Sequence, residues 1–303
     1  MSPFKLDIEA NDAPISTMVV LTIRHKTRYS YRLPVWLGPH RLMLRPRENR
    51  EVRLLSSSIE VTPPAILTWS NDVFGNAVAS ASFDAPADAL VIDSTAVVEL
   101  AAERWPAFDV AASAVRYPFS YSSDEIVDLG PLAQPQYVDK AGRLAEWAVA
   151  FVRGSETDTL ALLKDLVVGT AAQIRYQSRE EEGTQSPRQT LDRGWGSCRD
   201  FAVLFAEAAR SLGFGARLVS GYLYNPDPQF RNAAGSTHAW AEIYLPGPGW
   251  VTFDPTHRAL GGFNLIPVAV GRSIAQAMPV AGTFFGMTDA YLGMSVEVEV
   301  TAQ

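Results

Sequence analysis

Between Gly194 and Gly213 the chain specifies one helix with both ends marked, and its only cysteine stands at the first helical position. Ser197 suits the N-cap, Asp200 suits the reciprocal acidic position of a capping box, and Gly213 closes the far end. Phe201, Leu204, Phe205, Ala208 and Leu212 share one stripe at helical spacing, so a full side of this helix is committed to a core. The rest of the fold must bring a surface to that stripe while leaving Cys198 reachable.

A helix start also changes the chemistry of a thiol. The unpaired N–H groups and the positive end of the helix dipole favour thiolate over thiol. The same N–H groups can face the oxygen of a tetrahedral intermediate, where losing one donor costs on the order of 3 kcal/mol of barrier. A side chain at Gly196 would crowd the approaching carbonyl. A lone cysteine in an arbitrary chain is most often a small buried hydrophobe; the helix-start context selects the reactive reading. Asp200 and Arg199 read as capping or surface residues, with Asp200 able to anchor a neighbouring loop. The nearby aromatics Tyr176 and Trp195 are candidates for lining a substrate cleft.

Downstream, Thr237 to Leu245 and Trp250 to Asp254 read as two short strands around Pro246-Gly-Pro-Gly249. They carry His238, a base for Cys198, and Asp254, a carboxylate able to orient the imidazole and stabilise its charged form. Parity constrains this assignment, because directly paired residues of an antiparallel hairpin project from one face. A four-residue loop over 246–249 would set His238 and Asp254 on opposite faces. The triad therefore requires a loop with an odd residue count, or a β-bulge between the two.

The other three histidines fit other roles. His25 falls on the apolar face of a strand and reads as a core or domain-interface residue, His40 lies in Gly38-Pro-His-Arg41 and reads as a turn residue, and His257 follows Asp254 too closely to share the geometry given to His238. One cysteine and four scattered histidines lack the usual zinc spacing, and there is no Asp-rich calcium loop. No metal and no cofactor are expected.

From Val19 to Val35 the odd positions are Val, Leu, Ile, His, Thr, Tyr, Tyr, Leu, Val, and the even ones include Arg24, Lys26, Arg28 and Arg32. That is the period of a strand with one buried face. β-like runs follow at Val52–Leu55, Ser58–Thr62, Ala77–Phe83 and Ala89–Leu100, with turn chemistry at Asp72-Val-Phe-Gly-Asn76. Residues 1–117 form an all-β domain on this reading, 118–138 a linker without sustained period, and 139–303 a second domain with a C-terminal β extension. In the second domain Leu144, Trp147, Ala148 and Phe151 share one helical face, and Leu163, Leu166, Val167, Thr170 and Ile174 another.

With 303 residues, 47% of them hydrophobic, the chain can bury a substantial core. A net charge of −7 offers no excess of cations for a phosphate backbone, so nucleic acid is not an expected partner. The apolar run Met18–Ile23 is far short of the roughly 20 residues that span a membrane. The first thirty residues show neither a basic n-region nor a continuous apolar h-region. The expectation is a cytoplasmic protein with no membrane partner.

At these residues the sequence resembles the bacterial transglutaminase-like family. The resemblance rests on Ser186-Pro-Arg-Gln-Thr-Leu191, Gly196-Ser-Cys-Arg-Asp-Phe201, Gly215-Ala-Arg-Leu-Val-Ser-Gly-Tyr-Leu223, His238-Ala-Trp-Ala-Glu242 and Gly249-Trp-Val-Thr-Phe-Asp-Pro-Thr256. Ile23-Arg-His-Lys-Thr-Arg-Tyr-Ser-Tyr31, Leu44-Arg-Pro46 and Asp72-Val-Phe-Gly-Asn76 resemble that family's N-terminal β-domain, and Val268-Ala-Val-Gly-Arg272 its C-terminal segment. The resemblance implies an α+β fold, a papain-like catalytic core preceded by an all-β domain, with Cys198, His238 and Asp254 at the triad positions. It implies a peptide or protein substrate, attacked at an amide or isopeptide carbonyl, with hydrolysis and acyl transfer to an amine both open. The alternative is a non-catalytic module that keeps the cleft only to bind peptide.

Overall fold

The computed structural model describes residues 18–103, 106–154, 156–179, 183–225 and 236–303. The segment before residue 18, read above for targeting signals, lies outside the described residues. β1 (Val19–Leu37) is the spine of the N-terminal unit, and its odd-numbered side chains Leu21, Ile23, His25, Thr27, Tyr31, Val35 and Leu37 are buried as the alternation requires. Leu33 departs from the pattern, 53% exposed, where the pairing register shifts between Ser30 and Val35.

β2 (His40–Leu42), β3 (Val52–Thr62), β4 (Ile66–Asn71), β5 (Ala77–Ser82) and β6 (Ala87–Leu100) complete the first half. β1, β6 and β3 form one antiparallel sheet and β2, β5 and β4 another, with Tyr31, Val35, Leu42, Ala79, Leu90 and Ile92 in their shared core. Asp72 Oδ1 accepts the N–H groups of Phe74 and Asn76, which closes the expected turn between β4 and β5. His40 opens β2 rather than occupying a turn. Its buried ring lies edge-on to Tyr29 and Phe83, and Nδ1 contacts the Gly38 carbonyl at 2.8 Å.

β7 (Arg116–Tyr117) leads into the connection, which is not irregular throughout: α1 (Ser123–Leu129) carries a capping box from Ser122 and Glu125. Two turns are too short to display a helical period, but the box itself is written in the sequence. Next come α2 (Arg143–Val149), β8 (Thr157–Asp158), α3 (Thr159–Gln173), β9 (Arg175–Tyr176), α4 (Pro187–Arg193), β10 (Trp195–Gly196) and α5 (Cys198–Ser211). β11 (Ala216–Leu223), β12 (Ser236–Leu245), β13 (Gly249–Asp254), β14 (Ala259–Leu260) and β15 (Leu265–Gly271) make an antiparallel sheet in the order β14-β13-β12-β11-β15. Its Ala239, Ala241, Ile243 and Phe253 share a core with Phe201, Phe205 and Ala208 of α5.

The face away from α5 buries Val219, Trp240, Leu265 and Val270 in a cluster of their own. Toward the ends of β11 and β15, Tyr222, Ile266 and Val268 share a further core with Leu21, Ile23, Val98 and Leu100 of the N-terminal sheet. β1 therefore serves two cores, one with each half of its length. Polar ties cross the same boundary. His25 Nδ1 lies 2.9 Å from the Tyr222 hydroxyl and Nε2 3.0 Å from Thr27 Oγ1, which makes His25 an interface histidine. The fully buried Asn76 trades two hydrogen bonds with the backbone of Val270, at 2.7 and 2.9 Å.

The chain then returns to its beginning. β16 (Val280–Ala281) pairs with β2, β17 (Phe284–Phe285) with the end of β1, and β18 (Tyr291–Ala302) runs along β1 from Leu21 to Tyr31. The C-terminal extension, grouped above with 139–303, is thus hydrogen-bonded into the N-terminal unit. Glu207 and Arg210 of α5 form a buried ion pair that fastens both neighbours of the helix. Glu207 accepts the N–H groups of Gln136 and Tyr137, and Arg210 donates to the carbonyls of Leu132, Ala216 and Arg272. Among the described residues no helix is long and apolar enough to cross a membrane.

Candidate active site

α5 begins at Cys198, as its caps require, and Asp200 fixes that beginning. Fully buried, Asp200 accepts the Ser197 N–H at 2.8 Å and its hydroxyl at 2.9 Å through Oδ2, and the Gln185 N–H at 2.7 Å through Oδ1. The Arg179 guanidinium lies 3.7 Å from the same carboxylate. Asp200 is therefore both cap and loop anchor. It also explains Gly196: a Cβ there would stand 2.8 Å from Asp200 Cβ, so the glycine makes room for the anchor rather than for a substrate. With the Ser197 N–H spent on Asp200, the orphan backbone donor beside the sulfur is that of Cys198 itself.

His238 lies on β12 opposite Gly221 of β11, where the sheet is at its tightest. A Cβ on Gly221 would come within 2.1 Å of the Ile266 carbonyl oxygen and 2.8 Å of the Trp240 ring. Along β12 and β13, Leu245 pairs with Gly249, which leaves the odd loop Pro246-Gly247-Pro248 that parity demands. Continuing the pairing of Ala241 with Phe253, Asp254 falls across from Trp240, two residues from His238 and on its face.

The two meet directly. His238 Nε2 lies 2.8 Å from Asp254 Oδ2, with both residues almost wholly buried. Asp254 takes Nε2, and Cys198 stands close enough to the same imidazole to bear on its protonation. Burial would lower the His238 pKa. Hydrogen bonds and charge from Asp254 and Cys198 outweigh it and hold the ring up at about 10. Burial would likewise raise Asp254, but its two histidine partners hold the carboxyl well below the usual range. The arrangement stores a proton on the imidazole between an acceptor carboxylate and a sulfur.

His257 does not take the place of His238, yet it reaches the same carboxylate, with Nδ1 2.8 Å from Asp254 Oδ2. This contact forms in the turn after β13, where sequence spacing along a strand gives no direction to the side chain. His238, Asp254 and His257 place their ligating atoms within 4.8 Å of one another, as a cation site would, but the hydrogen bonds among them already account for that proximity.

Tyr176 pairs with Gly196 across β9 and β10, its ring edge-on to Phe201, and is 54% exposed. Partial burial and the neighbouring Cys198 hold its phenol above the ordinary range. Trp195 pairs with Arg175 and carries the Arg193 guanidinium over its ring at 5.6 Å. The structure sets Tyr176 beside the thiol and commits one face of Trp195 to Arg193. Trp240, not singled out from sequence, stacks on His238 at 6.1 Å; its position two residues along the same strand face was the available signal.

The model of the transglutaminase-like superfamily matches residues 139–255, and that of the bacterial transglutaminase-like N-terminal region matches residues 21–99. The uncharacterized protein ML0607 of Mycobacterium leprae is 26% identical over 285 residues, covering 92% of this chain and 98% of its own. A solved structure from Cytophaga hutchinsonii, provisionally described as a cysteine protease, superposes with a TM-score of 0.71 at 20% identity over 94% of this chain and 98% of that one. That likeness extends through both halves and concerns the fold.

Proposed function

We propose that this chain, which belongs to the transglutaminase-like superfamily, is a thiol enzyme acting on amide or isopeptide bonds of a peptide or protein through Cys198, His238 and Asp254. The observation that carries the reading is the 2.8 Å contact of His238 Nε2 with Asp254 Oδ2, both buried, with Cys198 at the start of a capped helix near the same ring. Sγ attacks the carbonyl carbon, a C–S bond forms, and the carbonyl electron pair moves to oxygen, facing the Cys198 N–H. Collapse breaks the C–N bond, and the departing amine takes the proton from His238 Nδ1. Water or a second amine then attacks the thioester, His238 accepts its proton, the C–S bond breaks and the thiolate returns. Asp254 keeps the ring oriented throughout and stabilises its charged form. Tyr176 and Trp195 line the acyl-side approach in this reading.

The test starts from reactivity that needs no substrate. Iodoacetamide is expected to label Cys198 in the native protein at pH 6, and His238→Ala to remove that low-pH labelling. Trapping the acyl-enzyme from a peptide library and reading its mass, with and without an added amine, separates hydrolysis from transfer. Folded Cys198→Ser protein with substantial turnover would remove the cysteine from the mechanism.

A further inference from the structure

Building on that reading of Cys198, His238 and Asp254, we propose that His257 is a positioning residue of the same centre: it shares Asp254 with His238 and limits how strongly the carboxylate holds the His238 proton. Asp254 Oδ2 accepts from both rings at 2.8 Å, and Oδ1 accepts the backbone N–H groups of Thr256 at 2.9 Å and His257 at 3.3 Å. The two backbone donors already close the turn after β13. The ring of His257 is therefore an additional donor, not the one the turn requires.

Its setting argues against a packing role. The His257 side chain is 47% exposed, whereas the carboxylate it reaches is 3% exposed. The two imidazoles stand 5.1 Å apart and tilted by 59°, so they approach one oxygen from separate directions rather than stacking. Facing His238 are Cys198 from α5, Asp254 from β13, the Trp240 indole and the His257 ring.

A carboxylate that accepts another N–H is a weaker base, and so a weaker partner for the proton on His238. That matters because the same proton must leave for the amine when the C–N bond breaks. An imidazolium held too tightly would preserve the thiolate and make a poor acid. The shared oxygen gives one carboxylate two duties, orienting His238 and releasing part of its hold.

The sequence holds four histidines, so His238 can be followed individually by ring NMR on histidine-labelled protein, with assignments from single variants. His257→Phe keeps a ring but removes the donor, and the midpoint of His238 protonation is expected to rise by ~0.5–1 pH unit. His257→Asn, whose side-chain N–H can occupy the place of Nδ1, should return it toward the wild-type value. An unchanged or lowered midpoint in His257→Phe overturns the proposal, since a residue that merely braced the carboxylate would let it swing away and weaken its pull. The underlying reading fails separately, and visibly in the wild-type protein, if native Cys198 resists iodoacetamide or His238 titrates near its ordinary value.

Discussion

Acid should loosen this protein at the seam between its halves, and His25 sets the amount. Its ring lies in the core shared by the N-terminal sheet and β11, bonded to Tyr222 and Thr27, and burial holds it at about 4 against an ordinary 6.5. Between those values the unfolded chain binds a proton that the folded chain refuses. Stability therefore rises with pH across the window, with a limiting slope of about 1.4 kcal/mol per pH unit. The sign is that of a depressed histidine: its contribution is intact above pH 6.5, falls as pH falls, and is fully lost below about 4. The whole gap amounts to about 3 kcal/mol, a sizeable part of the ~5–15 kcal/mol by which domains are stable.

Urea unfolding at pH 7, 6, 5 and 4 measures this directly when wild type is compared with His25→Gln, which can keep polar partners but cannot titrate. Only the difference between the two pH dependences is diagnostic, whatever the absolute stability of the variant. That difference should accumulate to about 3 kcal/mol between pH 7 and 4, as the carboxylates common to both chains cancel. Parallel curves would refute the reasoning and show that His25 stays neutral in neither state more than the other. The site should sense the change, since Tyr222 adjoins Gly221, the residue paired with His238.

Glu207→Ala should cost about 3–5 kcal/mol in urea unfolding, because it strands the Arg210 charge inside the protein, and Glu207→Ala with Arg210→Met should recover part of the loss. Gly196→Ala drives a Cβ to 2.8 Å from Asp200 Cβ, so it should destabilise by about 1–3 kcal/mol and slow alkylation of Cys198 together. His238→Ala should reduce turnover by roughly 10²–10⁴-fold and Asp254→Asn by less, since an amide can still orient the ring; equal losses would assign the effect to the carboxylate's charge. With His238 raised to about 10 and Asp254 held below the usual range, the pair's contribution should be level between about pH 4 and 6.5, declining above that as the pH climbs through about 10 and, at the acid end, as it falls through the depressed Asp254 value; a pH-stability scan of Asp254→Asn against wild type checks both flanks.

What the sequence disclosed about the fold follows from which forces act locally. β1 and α5 were legible because one periodic stripe per element was enough, two-fold in the first and helical in the second. β4 was not, since five of its six residues are exposed and no apolar alternation survives at that edge. β18 alternates Val296, Val298 and Val300 with acids and reads as a strand, but nothing local says that its partner lies some 270 positions earlier in β1. Pairing across that distance is settled by the burial of Val298 and Val300 with Leu21 and Ile23, a property of the assembled core.

The site divides along the same line. Cys198, His238 and Asp254 could be placed together because caps and strand parity convert sequence spacing into direction; parity left an odd loop or a β-bulge open, and the structure takes the odd loop at 246–248. His257 was not legible as a partner because three residues from Asp254 is too near for it to replace His238. For sharing the carboxylate, that short spacing is what the geometry needs. Once the N–H groups of residues 256 and 257 turn back onto Oδ1, the ring of His257 is carried to within 2.8 Å of Oδ2 by the same turn. A residue excluded as the base on distance grounds is, by that distance, placed as the second donor.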